Sequence, residues 1–196
     1  MNPKIQKLID DHIDRLTSSM MFEVEATLRS VEFYSQRIPD LAEWLCGDLT
    51  IDPGGRIVGD YLLKDAPLSG YILLWFLSWR ATNGDLRIRA TEYLDLRNQG
   101  VCEFPPSFSI FDRLRGVRLE GNPIASLPDN IGQISIDLSQ LSRIGLILQN
   151  AARMIDIRLC VLASQTELDV ELNKVRQIPN VTALHFDNLG MDSIPT

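Results

Sequence analysis

The sequence predicts an α/β (α+β) chain: a short solenoid of parallel strands preceded by an α-helical N-terminal cap containing a β-hairpin. Three observations carry this expectation. Apolar residues recur at helical spacing from Ile5 onward. "LTIDPGGRIV" (Leu49 to Val58) sets two β-branched runs around a Pro-Gly-Gly turn. The second half then reuses one spaced pattern of apolar residues, a polar residue and a proline. Residues 1–84 are accordingly assigned to a helical cap region and 85–196 to repeats, with a soft boundary near Asn83 to Asp85 and no long linker.

In the head, Asn2 is placed to cap a helix with Pro3 at its first position, where a missing N–H costs nothing. Ile5, Leu8, Ile9, Ile13, Leu16 and Met20 form its apolar stripe, opposite Lys4, Lys7, Asp10, Asp11 and Asp14. The acidic run around His12 reads as a solvated helix face. Thr17 to Ser19 interrupts the helix, and Val24, Leu28 and Val31 continue the stripe beyond it. Pro39 is a stop, and Asp40 is placed to cap a short helix carrying Leu41, Trp44 and Leu45. "YILLWFLSW" (Tyr71 to Trp79) is far short of a membrane span and reads as a buried helix or strand.

The repeat is seen by writing Val117, Leu119, Asn122, Ile124, Leu127 and Pro128 as one unit. The same offsets select Leu94, Leu96, Gln99, Val101, Phe104 and Pro105 upstream. Downstream they select Leu168, Val170, Asn173, Val175, Ile178 and Pro179, then Leu184, Phe186, Leu189, Met191, Ile194 and Pro195. A fifth copy without the proline starts at Ile144, with "IDIRLCVL" (Ile155 to Leu162) as a rival register. About five units are therefore expected, starting near 94, 117, 144, 168 and 184. Alternate residues of each start would enter the core. Asn122 has a side chain suited to satisfying backbone groups where the chain turns beneath the strand.

Leu114, Leu141 and Val181 extend the pattern to LxxLxLxx(N/Q/L), and "SLPDNIGQ" (Ser126 to Gln133) matches an LP-x-x-I-G turn. The second half thus resembles the leucine-rich repeat family, in its bacterial and plant-type form. The resemblance implies a curved solenoid whose concave face binds a protein. It also implies a bacterial source and a role as adaptor or secreted effector; because some bacterial relatives join such repeats to a catalytic domain, an enzyme fragment whose repeats select a substrate protein is the alternative, and an oligomeric assembly subunit is a second. Stacked units need both ends covered. The edge holding Leu184 and Phe186 is expected to be covered by another subunit, making a homo-oligomer, or by a modified last turn.

In that register the outward residues are Asp95, Arg97, Arg118, Glu120, Gly145, Ile147, Asp169, Glu171, His185 and Asp187. Asp95 is expected beside Arg118, and Arg97 beside Glu120. Asp169, Glu171, His185 and Asp187 would gather three carboxylates and one histidine, which read first as a solvated polar face and otherwise as suited to a basic partner segment or a divalent metal, although their spacing carries no metal-ligand signature. The partner is another protein. A net charge of −7 and a pI near 4.8 disfavour nucleic acid and anionic membrane surfaces.

No enzyme is expected. The sequence lacks GxSxG, P-loop, GxGxxG, HExxH and CxxC signatures, and no cofactor or metal is called for. Cys160, His185 and Asp187 make a conceivable nucleophile, base and orienter without a supporting motif. Cys46, Cys102 and Cys160 are far apart and read as buried thiols in a reducing compartment. The N-terminus is too acidic and periodic for a signal peptide. A cytoplasmic protein is therefore expected, the alternative being an effector secreted without a cleaved signal.

Overall fold

The computed structural model describes residues 3–38, 40–148, 155–160, 170, 173 and 181–187. In the head, α1 (Pro3–Leu16) and α2 (Met21–Ser35) are separated where Thr17 to Ser19 break the helical period. α1 buries Ile9, His12 and Leu16; α2 buries Val24, Thr27, Leu28 and Val31. His12 joins the two helices: Nδ1 donates to the Leu8 carbonyl at 2.6 Å, and Nε2 lies 3.1 Å from Ser30 Oγ. α3 (Asp40–Cys46) adds Leu41, Ala42, Leu45 and Cys46 to the core. The expected cap at Asn2, the stop at Pro39 and the capping side chain of Asp40 lie outside what is described.

The apolar run from Tyr71 forms α4 (Ser69–Thr82), with every residue from Gly70 to Ser78 buried. A helix apolar all round belongs inside a core. Gly70 is required there, because a Cβ would stand 2.5 Å from the Val101 nitrogen and 2.7 Å from the Gln99 carbonyl oxygen. The helix thereby packs directly on the turn that follows the first strand of the main sheet. One buried cluster runs from α1 through α4 into that sheet.

The hairpin consists of β1 (Thr50–Ile51) and β2 (Ile57–Val58), antiparallel with Thr50 opposite Val58. Asp52 shapes its turn, accepting bonds from the Gly54 and Arg56 N–H groups at 2.8 and 2.9 Å. After α5 (Leu86–Arg89), capped by Asp85, the chain enters a five-stranded, all-parallel sheet in sequence order. Its strands are β3 (Tyr93–Asp95), β4 (Gly116–Arg118), β5 (Gln133–Ile136), β6 (Ile155–Cys160) and β7 (Val181–Asp187). Leu94, Val117, Ile134 and Ile157 pair in register as one buried row. Leu96, Leu119, Ile136 and Leu159, all fully buried, form a second.

Asn122 closes the turn after β4. Its Oδ1 accepts the N–H groups of Gln99 and Val101 at 3.1 and 2.9 Å. Its Nδ2 donates to the carbonyls of Leu96 and Leu119 at 2.7 and 3.0 Å. At 5% exposure no bulk water can substitute for these partners.

The solenoid expectation is overturned here. The sheet is open and uncurved, and its strands are not copies of one unit. The third strand is Gln133–Ile136, which begins at the last residue of the expected turn and starts none of the expected units, and the fourth is Ile155–Cys160. The unit expected at Ile144 is instead α6 (Leu138–Leu148). Leu141, Ile144 and Leu148 obey a helical period and are fully buried, while Leu146, a core position in the strand reading, is 65% exposed. The connections also differ in kind. A 3₁₀ turn (Pro106–Ile110) joins β3 to β4, an extended loop joins β4 to β5, and α6 joins β5 to β6. Val170 and Asn173 are helical and exposed rather than buried strand and turn. The rest of the units expected at 168 and after Asp187 lies outside the described residues. The fold is a mixed α/β structure with a short parallel sheet and six α-helices among the described residues.

Two substitutions test this account. Gly55 has φ +82°, and a Cβ on it would sit 2.2 Å from the Tyr93 carbonyl oxygen. Gly55→Ala is therefore expected to cost about 1–3 kcal/mol, read from the urea midpoint. Asn122→Ala leaves buried N–H and C=O groups without partners, and an unfolding cost of about 2–4 kcal/mol is expected by the same measurement.

Candidate functional site

The pleat that buries Leu94 and Leu96 turns the intervening residues to the other side of the sheet. One such row, in strand register, is Asp95, Arg118, Ser135 and Arg158; Tyr93, Gly116, Gln133 and Asp156 form the row before it. Arg97 and Glu120 follow at the strand ends. All belong to the face opposite the one carrying the buried rows.

The carboxylates lie low and the guanidiniums high. The side chains of Asp95 and Glu120 are 10% and 9% exposed, against 41% for Arg97 and 46% for Arg118. Arg97, in the turn after β3, is bidentate on Asp95, at 2.6 Å from Nη2 and 2.8 Å from Nε. Arg118 spans two acids, 4.0 Å from Asp95 and 3.3 Å from Glu120. Ser135 donates to Glu120 Oε1 at 2.9 Å, while the buried Oε2 has no hydrogen-bond partner. Tyr93 is 52% exposed beside Gly116, where a Cβ would come within 3.2 Å of the Tyr93 ring. Arg158 is exposed in the same row as Arg118.

Burial pushes the Asp95 carboxyl up, but hydrogen bonds from the Arg97 side chain and backbone, with the charges of Arg97 and Arg118, outweigh it. The carboxyl is held below the usual aspartate range. Among the cysteines, burial pushes the Cys46 thiol up to about 11. Burial, with the neighbouring Glu103 charge, also raises Cys102. Neither is an activated nucleophile. Among the described residues no group of three or more His, Cys, Asp or Glu is placed to hold a metal ion.

Asp95, Arg97, Arg118 and Glu120 thus share one face, although Arg97 pairs with Asp95 and Glu120 is buried rather than displayed. Ile147 is not on that face: it sits half-buried in α6, packed on the core, with Gly145 buried in the same helix. Asp169 and Glu171 lie outside the described residues. In β7 the backbone register sets His185 beside Arg158 and Asp187 beside Cys160. Tyr93, Ser135 and Arg158 were missed. The alternation of "QISI" and "IDIRLC" was the signal that could have found the last two.

Comparison with protein-family models, curated proteins and solved structures finds no match for the chain. The leucine-rich repeat resemblance, its concave recognition face, and the bacterial source and effector role drawn from it are therefore left without support. No described helix is long and apolar enough to cross a membrane.

A depressed folded-state value means that ionised Asp95 contributes fully above the unfolded value, about 3.9, and that this is lost as pH falls through the folded value. Asp95→Asn is expected to be less stable than wild type at neutral pH. The gap should close on acidification below about pH 4, read from urea midpoints across a pH series.

Proposed function

We propose that the chain is a non-catalytic protein-binding module that engages an acidic segment of a partner protein across the polar face of the sheet. The observation that carries this reading is the layering of charge: Asp95 and Glu120 are about nine-tenths buried beneath the more exposed arginines at 97 and 118. Arg158 and Tyr93 extend the same display. Tyrosine and arginine are the side chains that most often anchor protein interfaces. A guanidinium already oriented by a carboxylate loses little freedom when a second carboxylate docks on its remaining donors. The whole chain is acidic, yet on this face the arginines at 97 and 118 stand above the carboxylates of Asp95 and Glu120, so an acidic partner meets guanidiniums first.

The high thiol values of Cys46 and Cys102 favour a binding role over thiol catalysis. A reducing, cytoplasmic setting accords with both cysteines being free.

The test is fluorescence anisotropy at low salt with labelled extended peptides, one alternating Glu with Ser and one alternating Lys with Ser. The Glu peptide is expected to bind, and Arg97→Glu/Arg118→Glu to weaken it at least tenfold. Lys7→Glu/Arg15→Glu, which changes net charge equally on α1, is expected to leave binding within twofold. Preference for the Lys peptide, or equal losses in both double variants, would overturn the proposal.

A further inference from the structure

A cleft of about 190 Å³ opens between α2, α4 and the 3₁₀ turn, lined by none of the sheet-face residues. Its walls include Trp75 and Trp79, four residues apart and so on the same side of α4. Trp75 is held edge-on to Phe76, with ring centroids 5.3 Å apart. From α2, Glu32 stands exposed at the mouth and Ser35 lines the wall. The Ser35 Oγ is buried and has no hydrogen-bond partner. Such an orphan costs free energy unless something that enters the cleft satisfies it. Asn83 lies at the rim, its Nδ2 committed to the Trp79 carbonyl at 2.7 Å.

Charge selects among ligands. Among the described residues, Glu32 is the one charged side chain lining the cleft. Three guanidiniums close in sequence to lining residues are engaged elsewhere: Arg29, three residues before Glu32, pairs with Glu25 at 3.9 Å. Arg37 lies over the Phe33 ring at 4.6 Å, and Arg80 bonds the Leu49 carbonyl and Asp85. Indole rings attract cations through their electron-rich faces, and a carboxylate adds a counter-charge. An anion would meet Glu32 with no compensating base. The volume is below the roughly 300–1,000 Å³ usual for drug-sized ligands, so a nucleotide is too large. Trp75, at 8% exposure, offers little open ring on which a sugar could stack.

We infer that this cleft binds a primary alkylammonium group, supplied either by a free amine or by a lysyl side chain of another protein. The ammonium N–H groups reach Glu32, the Ser35 side chain turns its unpartnered oxygen toward them, and the alkyl stem lies along the half-buried Trp79. The site is separate from the sheet face and does not depend on its role.

The chain has three tryptophans, so the indole N–H resonances in a ¹H–¹⁵N spectrum report on position directly. Titration of the full chain with n-butylammonium chloride is expected to shift the Trp75 and Trp79 signals saturably and leave Trp44 unmoved. Neither 1-butanol nor matched sodium chloride should reproduce this. Glu32→Gln alters an exposed side chain and keeps all three reporters; it is expected to weaken binding at least fivefold. Nα-acetyl-lysine methylamide binding more tightly than butylammonium assigns the cleft to a lysyl side chain, and equal or weaker binding assigns it to free amines. The inference fails if the two indole signals do not move, if butanol moves them alike, or if Glu32→Gln binds as wild type does.

Discussion

The fold depends on how buried backbone polar groups are satisfied where the chain leaves the sheet. Strands β3 and β4 are three residues each, too short for their own ladder to account for the turns beyond them. One primary amide resolves this: Asn122 takes two N–H groups from the preceding turn and gives its hydrogens to the carbonyls of Leu96 and Leu119, the residues just past the two strands. Gln140 continues the arrangement from α6, donating to the carbonyls of Leu119 and Asn122 at 3.1 and 2.6 Å while accepting the Asp137 N–H. Neighbouring turns are thus tied to one another by side-chain amides that carry both donors and acceptors. A carboxylate could do only half of this work, since it has no hydrogens to give.

With those turns fixed, the two apolar rows can stack in register, and the helices gather over them. α4 and α6 contribute to the same buried cluster as the rows, which leaves the Asp95 and Arg118 row to face away. The layering of acid under base follows from reach. Asp95 and the folded-back Glu120 end near the backbone, whereas an arginine stem carries its head outward across them. The polar face is therefore a by-product of strand pleat and side-chain length, continued by Arg97 and Glu120 in the turns that follow β3 and β4.

Much of this was legible locally. The break between α1 and α2 and the Pro-Gly-Gly hairpin each rest on signals within about ten residues, and the pairing of Leu94 with Val117 rests on the offset pattern their two segments share. What misled was a pattern that two structures satisfy. Ile144 and Leu146 alternate like a strand, but Leu141, Ile144 and Leu148 also keep a helical period, and the helix is what forms. Short apolar runs cannot decide between these, because the choice is made by what packs on them. With Ile144 read as a strand start, the true strand from Gln133 falls between the expected units and the one from Ile155 into a rival register. The same error put Ile147 on the binding face. Burial of Glu120 was hidden for a different reason: it comes from Ser135, a neighbour on a strand the sequence reading did not have.

The hairpin also decides how the sheet meets other chains. Strand β3 would otherwise present a bare row of donors and acceptors, a template on which any extended segment can pair. Gly55 occupies that row, its carbonyl taking the Asp95 N–H at 2.7 Å, and Arg56 bridges to Asp95 alongside it. Because the glycine approaches so closely, the block is made of backbone and cannot swing aside as a side chain would. The sheet is thus guarded on this side against uncontrolled strand-to-strand growth, and the residue that guards it is one that no L-amino acid with a side chain can replace without strain.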